Sequence, residues 1–138
     1  MAFDFSKFKF EAIDLNINSS PDIFINRNHI AFTRRVLEDL NYPSFVQFCV
    51  DPTQNAFAIR VCKGTETRAV PFSKPKAEQT GSCLSHNKNL REAVTALIPS
   101  YKVSQRYRVT GHFEQQEKTI VFIMTEAKPC DYRKGEEE

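Results

Sequence analysis

The side chains of this chain with the most reactive chemistry are four cysteines and three histidines, and their spacing decides what they can do. Zinc sites use Cys and His in closely spaced pairs. The segment Cys83-Leu-Ser-His86 is one such pair, but no second pair follows it. The sequence therefore predicts no metal site and a loop leading into a helix at this point. The remaining cysteines, which we expect to be reduced thiols, are Cys49, Cys62 and Cys130.

Nucleophilic catalysis would require a Ser, Cys or Thr beside a positioned base. His29 falls in a turn, and His112 shares a strand face with Arg108 and Thr110, so neither belongs to a local catalytic motif. Four glycines in the whole chain do not form a phosphate loop or a dinucleotide fingerprint. We predict a protein that is not an enzyme, with no catalytic residues, no cofactor and no small-molecule substrate.

Positive charge is concentrated in the middle of the chain. Residues 60–108 hold ten Lys or Arg and three Asp or Glu, whereas the flanking segments are both acidic. A basic segment of this kind suits contacts with phosphates, which make binding depend on salt. The candidate nucleic-acid contacts are Arg60, Lys63, Arg68, Lys74, Lys76, Arg106 and Arg108.

The first ten residues contain four of the twelve phenylalanines, Phe3, Phe5, Phe8 and Phe10. Interleaved with Lys7, Lys9 and other polar residues, these rings could stack on the bases of a single strand. We favour a second interpretation, an arm that docks on the core or on a second subunit. Residues Phe3, Phe5, Phe8 and Phe10 are then the candidate partner-binding residues.

Alternating apolar residues predict two β-hairpins. The first runs over residues 44–50 and 56–62 and places Val46, Phe48 and Val50 on one face with Phe57, Ile59 and Val61. The second runs over residues 106–113 and 119–125. A shift of 63 residues superposes the two apolar patterns, which suggests an internal repeat.

A helix is predicted ahead of each hairpin, from Thr33 as N-cap in the first case and from Ser85 or Asn87 in the second. Two short strands at residues 23–25 and 30–32 precede the first helix, and another short strand is suggested at residues 69–72. The predicted fold class is α+β: two helix-plus-hairpin units, at residues 22–63 and 83–128, packed as a pseudo-symmetric pair with extra N-terminal strands.

The expected organisation is one domain over residues 1–128 with a basic connector at residues 64–82 and a disordered acidic tail at residues 129–138. A composition of 41% hydrophobic and 26% charged residues is ordinary for a folded domain. No stretch approaches the roughly 20 apolar residues of a membrane span, and the first residues show no apolar stretch followed by a small-residue cleavage site, so we expect no leader sequence. We therefore expect a cytoplasmic protein without membrane contact.

The order of elements in residues 28–63 resembles AbrB-type swapped-hairpin regulators: the strand Ile30-Ala-Phe32, a helix ending at Leu40-Asn-Tyr42, then a hairpin. Residues 83–128 resemble a degenerate second copy. The resemblance implies a small dimeric DNA-binding regulator. The positions that match the family's DNA-contacting arginines hold His29, Leu37 and Glu38, so those contacts do not carry over. The segment also resembles small uncharacterised bacterial proteins.

Two hypotheses for function follow. The first is a non-enzymatic regulatory module, a homodimer, that contacts DNA or RNA through the basic middle third. The second is a protein-interaction or assembly subunit, for example an accessory protein of a mobile element, that uses the Phe-rich arm and exposed strand edges.

Overall fold

The computed structural model describes residues 3–12 and 20–131, and its dominant feature is one antiparallel half-barrel sheet. Nine strands are present in these residues, in the spatial order β5-β3-β4-β8-β7-β1-β2-β6, with β9 also paired to β7. Their bounds are β1 Asp22–Ile25, β2 Ile30–Phe32, β3 Phe45–Asp51, β4 Ala56–Val61, β5 Val70–Pro71, β6 Cys83–Ser85, β7 Arg106–Glu114, β8 Thr119–Ile123 and β9 Lys128–Cys130.

The first predicted hairpin is confirmed as β3 and β4. Val46 faces Val61, Phe48 faces Ile59 and Val50 faces Phe57, so these six residues share one face of the hairpin, as predicted. The Asp51 carboxylate accepts backbone hydrogen bonds from the turn that joins the strands, and Asn55 takes a positive φ of 51°. Local alternation and turn chemistry therefore determine this part of the fold.

The longest strand, β7, organises the centre of the sheet. Its N-terminal half pairs with β1 on one edge and with β9 on the other, and its C-terminal half pairs with β8. A 3-10 turn at Met124–Glu126 separates β8 from β9. Because β8 also pairs with β4, the two hairpins form one continuous sheet.

The hydrophobic core lies on one face of this sheet. Alternate residues of the strands, including Ile23, Phe57, Val109 and Phe122, are fully buried there. Two short helices contribute to the same cluster: α1, Arg34–Asp39, through Val36 and its C-cap residue Leu40, and α2, Lys88–Thr95, through Val94.

The predicted α+β class is wrong. The described residues are mostly strands, and their two α-helices span six and eight residues. The two hairpins do not belong to separate helix-plus-hairpin units, since β4 and β8 pair directly and β1 lies beside β7. Alternation of apolar residues identifies a strand, but it does not show which strand distant in sequence pairs with it. The strand pairing of the sheet therefore does not support the predicted internal repeat.

The sheet extends into the segment predicted as a tail, because Lys128–Cys130 pairs with Arg106–Arg108 as β9. The remainder of the predicted tail, residues 132–138, lies outside the described residues. A search of the described helices for one long and apolar enough to cross a membrane found none.

Candidate functional site at the open end of the sheet

The sheet stops at β5 on one side and at β6 on the other, and these two strands border an apolar groove. Within the described residues, β5 pairs only with β3, and β6 pairs only with β2. The groove has a volume of about 450 Å³. We name it the seam groove; its lining residues are Phe32, Phe48, Val70, Pro71, Phe72, Cys83, Leu84, Ser85, Asn87 and Leu90.

Aromatic rings connect the seam groove to the core. Phe122 and Phe57 are fully buried, with ring centroids 5.8 Å apart. Phe48 lies 5.9 Å from Phe57 and is only half-buried, and Phe32 lies 5.2 Å from Phe72. The row of rings begins inside the core and ends at a surface that no described part of the chain covers.

The thiol of Cys83 bridges the two borders of the groove by donating a hydrogen bond to the carbonyl oxygen of Phe72, at 3.3 Å. Burial raises the pKa of this thiol above its ordinary value. The protonated form, which can donate this hydrogen bond, therefore predominates at neutral pH. Cys83 acts here as a packing residue with a weak donor.

The free edge of β6 is the more suitable border for a further strand. Pro71 has no backbone N–H, so β5 lacks a donor at that position. The side chain of Leu84, in the middle of β6, is 55% exposed although it is aliphatic. An exposed edge strand with an aliphatic side chain is a typical place for strand addition.

Two of the predicted nucleic-acid contacts are engaged inside the protein. Arg108 contacts one oxygen of the buried Asp22 carboxylate, Oδ2, at 2.8 Å through Nε and at 2.7 Å through a terminal nitrogen. The hydroxyl groups of Thr110 and Ser20 donate to the other oxygen of that carboxylate. Three hydrogen bonds and one ion-pair contact therefore satisfy the Asp22 carboxylate, and those from Arg108 and Thr110 join β1 to β7.

Arg106, two residues before Arg108 on β7, also makes contacts inside the protein. Its Nε donates to the side-chain oxygen of Asn26 at 2.8 Å, and its guanidinium lies 4.3 Å from the centre of the Phe24 ring. Both guanidinium groups therefore contact β1 or the residue that follows it, Arg108 through Asp22 and Arg106 through Phe24 and Asn26.

The other predicted contacts lie elsewhere. Arg60 is exposed on β4 and donates to Gln47. Arg60 pairs with Thr119 of β8, and Thr119 pairs with Glu114 of β7. Glu114 is six residues from Arg108 on β7, so Arg60 and Arg108 are separated by about 20 Å along the strand direction. Four more basic side chains are exposed in the two loops that flank β5, namely Lys63, Arg68, Lys74 and Lys76. Gln47 also donates to the carbonyl oxygen of Thr67, so Arg60 lies near the first of these loops, and the structure separates this set from Arg106 and Arg108.

The Phe-rich arm does not dock on the core of its own chain. Every described residue from 3 to 12 is exposed, with Phe3 at 75% and Phe10 at 74%. The rings contact one another instead: Phe3 stacks on Phe8 at 5.3 Å, and Phe8 on Phe10 at 5.7 Å. Asp4 caps a 3-10 turn at Phe5–Lys7.

The histidines and cysteines do not assemble a reactive cluster in the described residues. The rings of His29 and His86 lie 5.4 Å apart, but no group of three potential metal ligands forms among the residues described. His112 contacts Glu126 at 3.5 Å on an exposed strand. The predicted loop at Cys83 is wrong, since Cys83–Ser85 forms β6. All four cysteines are reduced, as predicted.

The sequence pointed to only part of the seam groove. The short strand suggested at residues 69–72 is confirmed as β5. Its relation to Cys83 and Leu84 was not predicted, because these residues lie in a segment without alternation and with several turn residues. Comparison with protein-family models, curated proteins and solved structures found no match to this chain.

Proposed function

We propose that this protein is a non-enzymatic protein-binding module whose seam groove holds an extended segment with aromatic side chains. The observation that carries the proposal is the apolar groove of about 450 Å³ beside the unpaired edge of β6. Backbone groups of the edge would bind the main chain of the segment, and the groove would receive alternate side chains. In recognition by strand addition, main-chain hydrogen bonds commonly provide affinity and side-chain pockets provide specificity.

The size of the groove suits a small number of rings. A cavity of roughly 150 Å³ accommodates one benzene molecule, so the seam groove has space for two or three phenyl groups. Its walls already present ring faces and edges, from Phe32, Phe48 and Phe72, to an incoming ring. Aromatic pairs in such arrangements add about 0.5–1.5 kcal/mol to the effect of burial.

The affinity expected for a short peptide is modest. Burial of two phenylalanine side chains contributes about 1.5–3 kcal/mol each, their aromatic contacts add about 0.5–1.5 kcal/mol each, and ordering the peptide offsets part of this gain. A net of about 5 kcal/mol corresponds to a Kd of roughly 0.2 mM. Titrations should therefore extend to about 1 mM.

Nucleic-acid binding is a second candidate, supported by one observation. Lys63, Arg68, Lys74 and Lys76 are exposed on both sides of β5, and no ion pair with a described residue involves them. The resemblance of residues 28–63 to AbrB-type regulators belongs to this second proposal. We rank it below protein binding because Arg106 and Arg108 contact β1.

The test is a fluorescence titration of the full chain against a labelled six-residue peptide of alternating Phe and Lys. Leu84→Lys places a charge at the groove, and Val103→Lys is the matched control, an exposed aliphatic residue that does not line it. We expect saturable binding that Leu84→Lys weakens at least tenfold and Val103→Lys leaves within twofold.

Equal loss in both variants, or no binding by the unmodified chain at 1 mM peptide, would contradict the proposal. A parallel titration with random-sequence DNA at about 50 and 200 mM salt covers the second candidate. Binding to DNA with a steep salt dependence, together with no peptide binding, would favour nucleic acid as the partner.

A further inference from the structure

We infer that the segment held by the seam groove is the Phe-rich arm of a second copy of this chain, with Phe8 and Phe10 as the inserted rings. This inference rests on the proposed function. It names the occupant, and it accounts for two apolar surfaces that the described part of a single chain leaves uncovered.

The arm has the pattern that strand addition requires. In Lys7-Phe8-Lys9-Phe10-Glu11, charged and aromatic residues alternate. An extended chain therefore places Phe8 and Phe10 on one face and the three charged residues on the other. Phe8 already has extended dihedral angles, with φ −101° and ψ 140°. Phe3 and Phe5 have the opposite parity, so we assign them no place in the groove.

The groove and the arm also agree in chemistry and size. The groove is lined mostly by aromatic and aliphatic side chains and has space for two or three rings. Phe8 is 48% exposed and Phe10 is 74% exposed in the single chain. Two rings that insert about 6–7 Å apart along one strand face match the length of the three-residue edge β6.

The arm of the same chain is not the occupant in the structure, since residues 3–12 are all exposed. An exchange between two copies would fill both grooves with both arms in one closed, two-fold arrangement. Phe8 and Phe10 expose roughly 250 Å² of aromatic surface per arm. Counted over both arms, the exchange removes about 500 Å² of aromatic surface from water, and the groove walls and the backbone contacts of the added strands supply the rest of the roughly 1,000 Å² that a specific interface needs.

Disulfide trapping tests the inference, because Cys83 lines the groove. The full chain carries Cys49→Ser, Cys62→Ser and Cys130→Ser, so that Cys83 is the native thiol that remains. Phe10→Cys then places a second thiol on the face predicted to enter the groove, and Lys9→Cys is the matched control on the opposite face. Both positions are exposed, so neither substitution affects the core.

After mild oxidation we expect Phe10→Cys to yield a covalent dimer at least fivefold faster than Lys9→Cys, and Cys83→Ser to abolish that product. A cross-link within one chain, seen as a faster-migrating monomer, would overturn the inference, as would equal dimer yields from both variants. If the peptide titration succeeds while the trapping fails, only the identity of the occupant is wrong. If both fail, the proposed function is wrong too.

Light scattering supplies an independent readout without cysteine changes. The unmodified chain should show a concentration-dependent mass that approaches twice 15.9 kDa. Phe8→Ala/Phe10→Ala should remain monomeric at the same concentration, whereas Phe3→Ala/Phe5→Ala should still dimerise. A monomeric unmodified chain at about 0.5 mM, or dimers of Phe8→Ala/Phe10→Ala, would contradict the inference.

Discussion

Two apolar regions of this molecule are built from the same residue types and differ in whether they are covered. Around Phe57 and Phe122 the sheet curves over its own side chains, and both rings are completely buried. Around Phe48 and Phe72 the sheet has ended, and the rings are only partly buried. The comparison teaches that alternation along strands supplies an apolar face, whereas closure of the sheet decides whether that face becomes a core or a binding surface.

The largest expected difference between the two regions is in stability. Phe57→Ala removes a fully buried ring and should lower the free energy of unfolding by about 3–5 kcal/mol. Phe72→Ala removes a half-buried ring at the groove and should cost less than half of that. Urea denaturation of both variants measures the difference, and equal losses would show that the groove is part of the cooperative core.

Asp22→Ala tests the polar contact that joins β1 to β7. The substitution removes three hydrogen bonds and one ion-pair contact, and it leaves the Arg108 guanidinium, 41% exposed, without its carboxylate. Partial exposure lets water solvate that guanidinium, so we expect a loss of about 2–3 kcal/mol. Urea denaturation checks this value against Asp51→Ala, which affects an exposed turn and should cost under about 1 kcal/mol.

The open region should respond to Leu84→Lys in binding and hardly in stability. Leu84 is 55% exposed, so the free energy of unfolding should change by less than about 0.5 kcal/mol. Loss of peptide binding by tenfold, or about 1.4 kcal/mol, should accompany that small change. Parallel urea and peptide titrations measure both quantities, and a large loss of stability would assign Leu84 to the core instead.

The smallest expected effect concerns the thiol of Cys83, which lies between β5 and β6 at the seam groove. Burial raises the pKa of Cys83. At any pH in the range where the thiol titrates, a smaller fraction of it is therefore thiolate in the folded protein than in the unfolded chain. Its alkylation by iodoacetamide should accelerate at a higher pH in the folded state than in urea, as measured by mass spectrometry of its peptide. Coinciding pH profiles would contradict this.

Sequence patterns were sufficient for the strands with strong alternation. The register of β3 and β4 followed from alternating apolar residues and one turn, and β1 and β2 were recognised from Ile-x-Ile and Ile-x-Phe. The same patterns suggested two independent units, because they carry no information on which distant strands pair. The α+β prediction failed at the pairing of β4 with β8.

The predicted site was partly wrong for the same reason, because sequence patterns do not show which distant residues come together. The sequence predicted that Arg106 and Arg108 contact nucleic acid. No pattern within residues 106–114 indicates that Asn26 and Asp22 lie beside these two side chains in the fold. The seam groove was missed for a related reason: its borders are two- and three-residue strands separated by a loop, and such strands show no period. The Phe-rich arm was visible from composition alone.

The central claim is that the open end of the sheet binds an extended aromatic segment, and NMR tests it most directly. The sample is the ¹⁵N-labelled full chain with Phe8→Ala/Phe10→Ala, which leaves the groove accessible, titrated with an unlabelled peptide of residues 6–12. We predict saturable amide shifts concentrated in residues 70–72, 83–85 and around Leu90. Shifts spread over β7 and β9, or no shifts at about 1 mM peptide, would contradict the account.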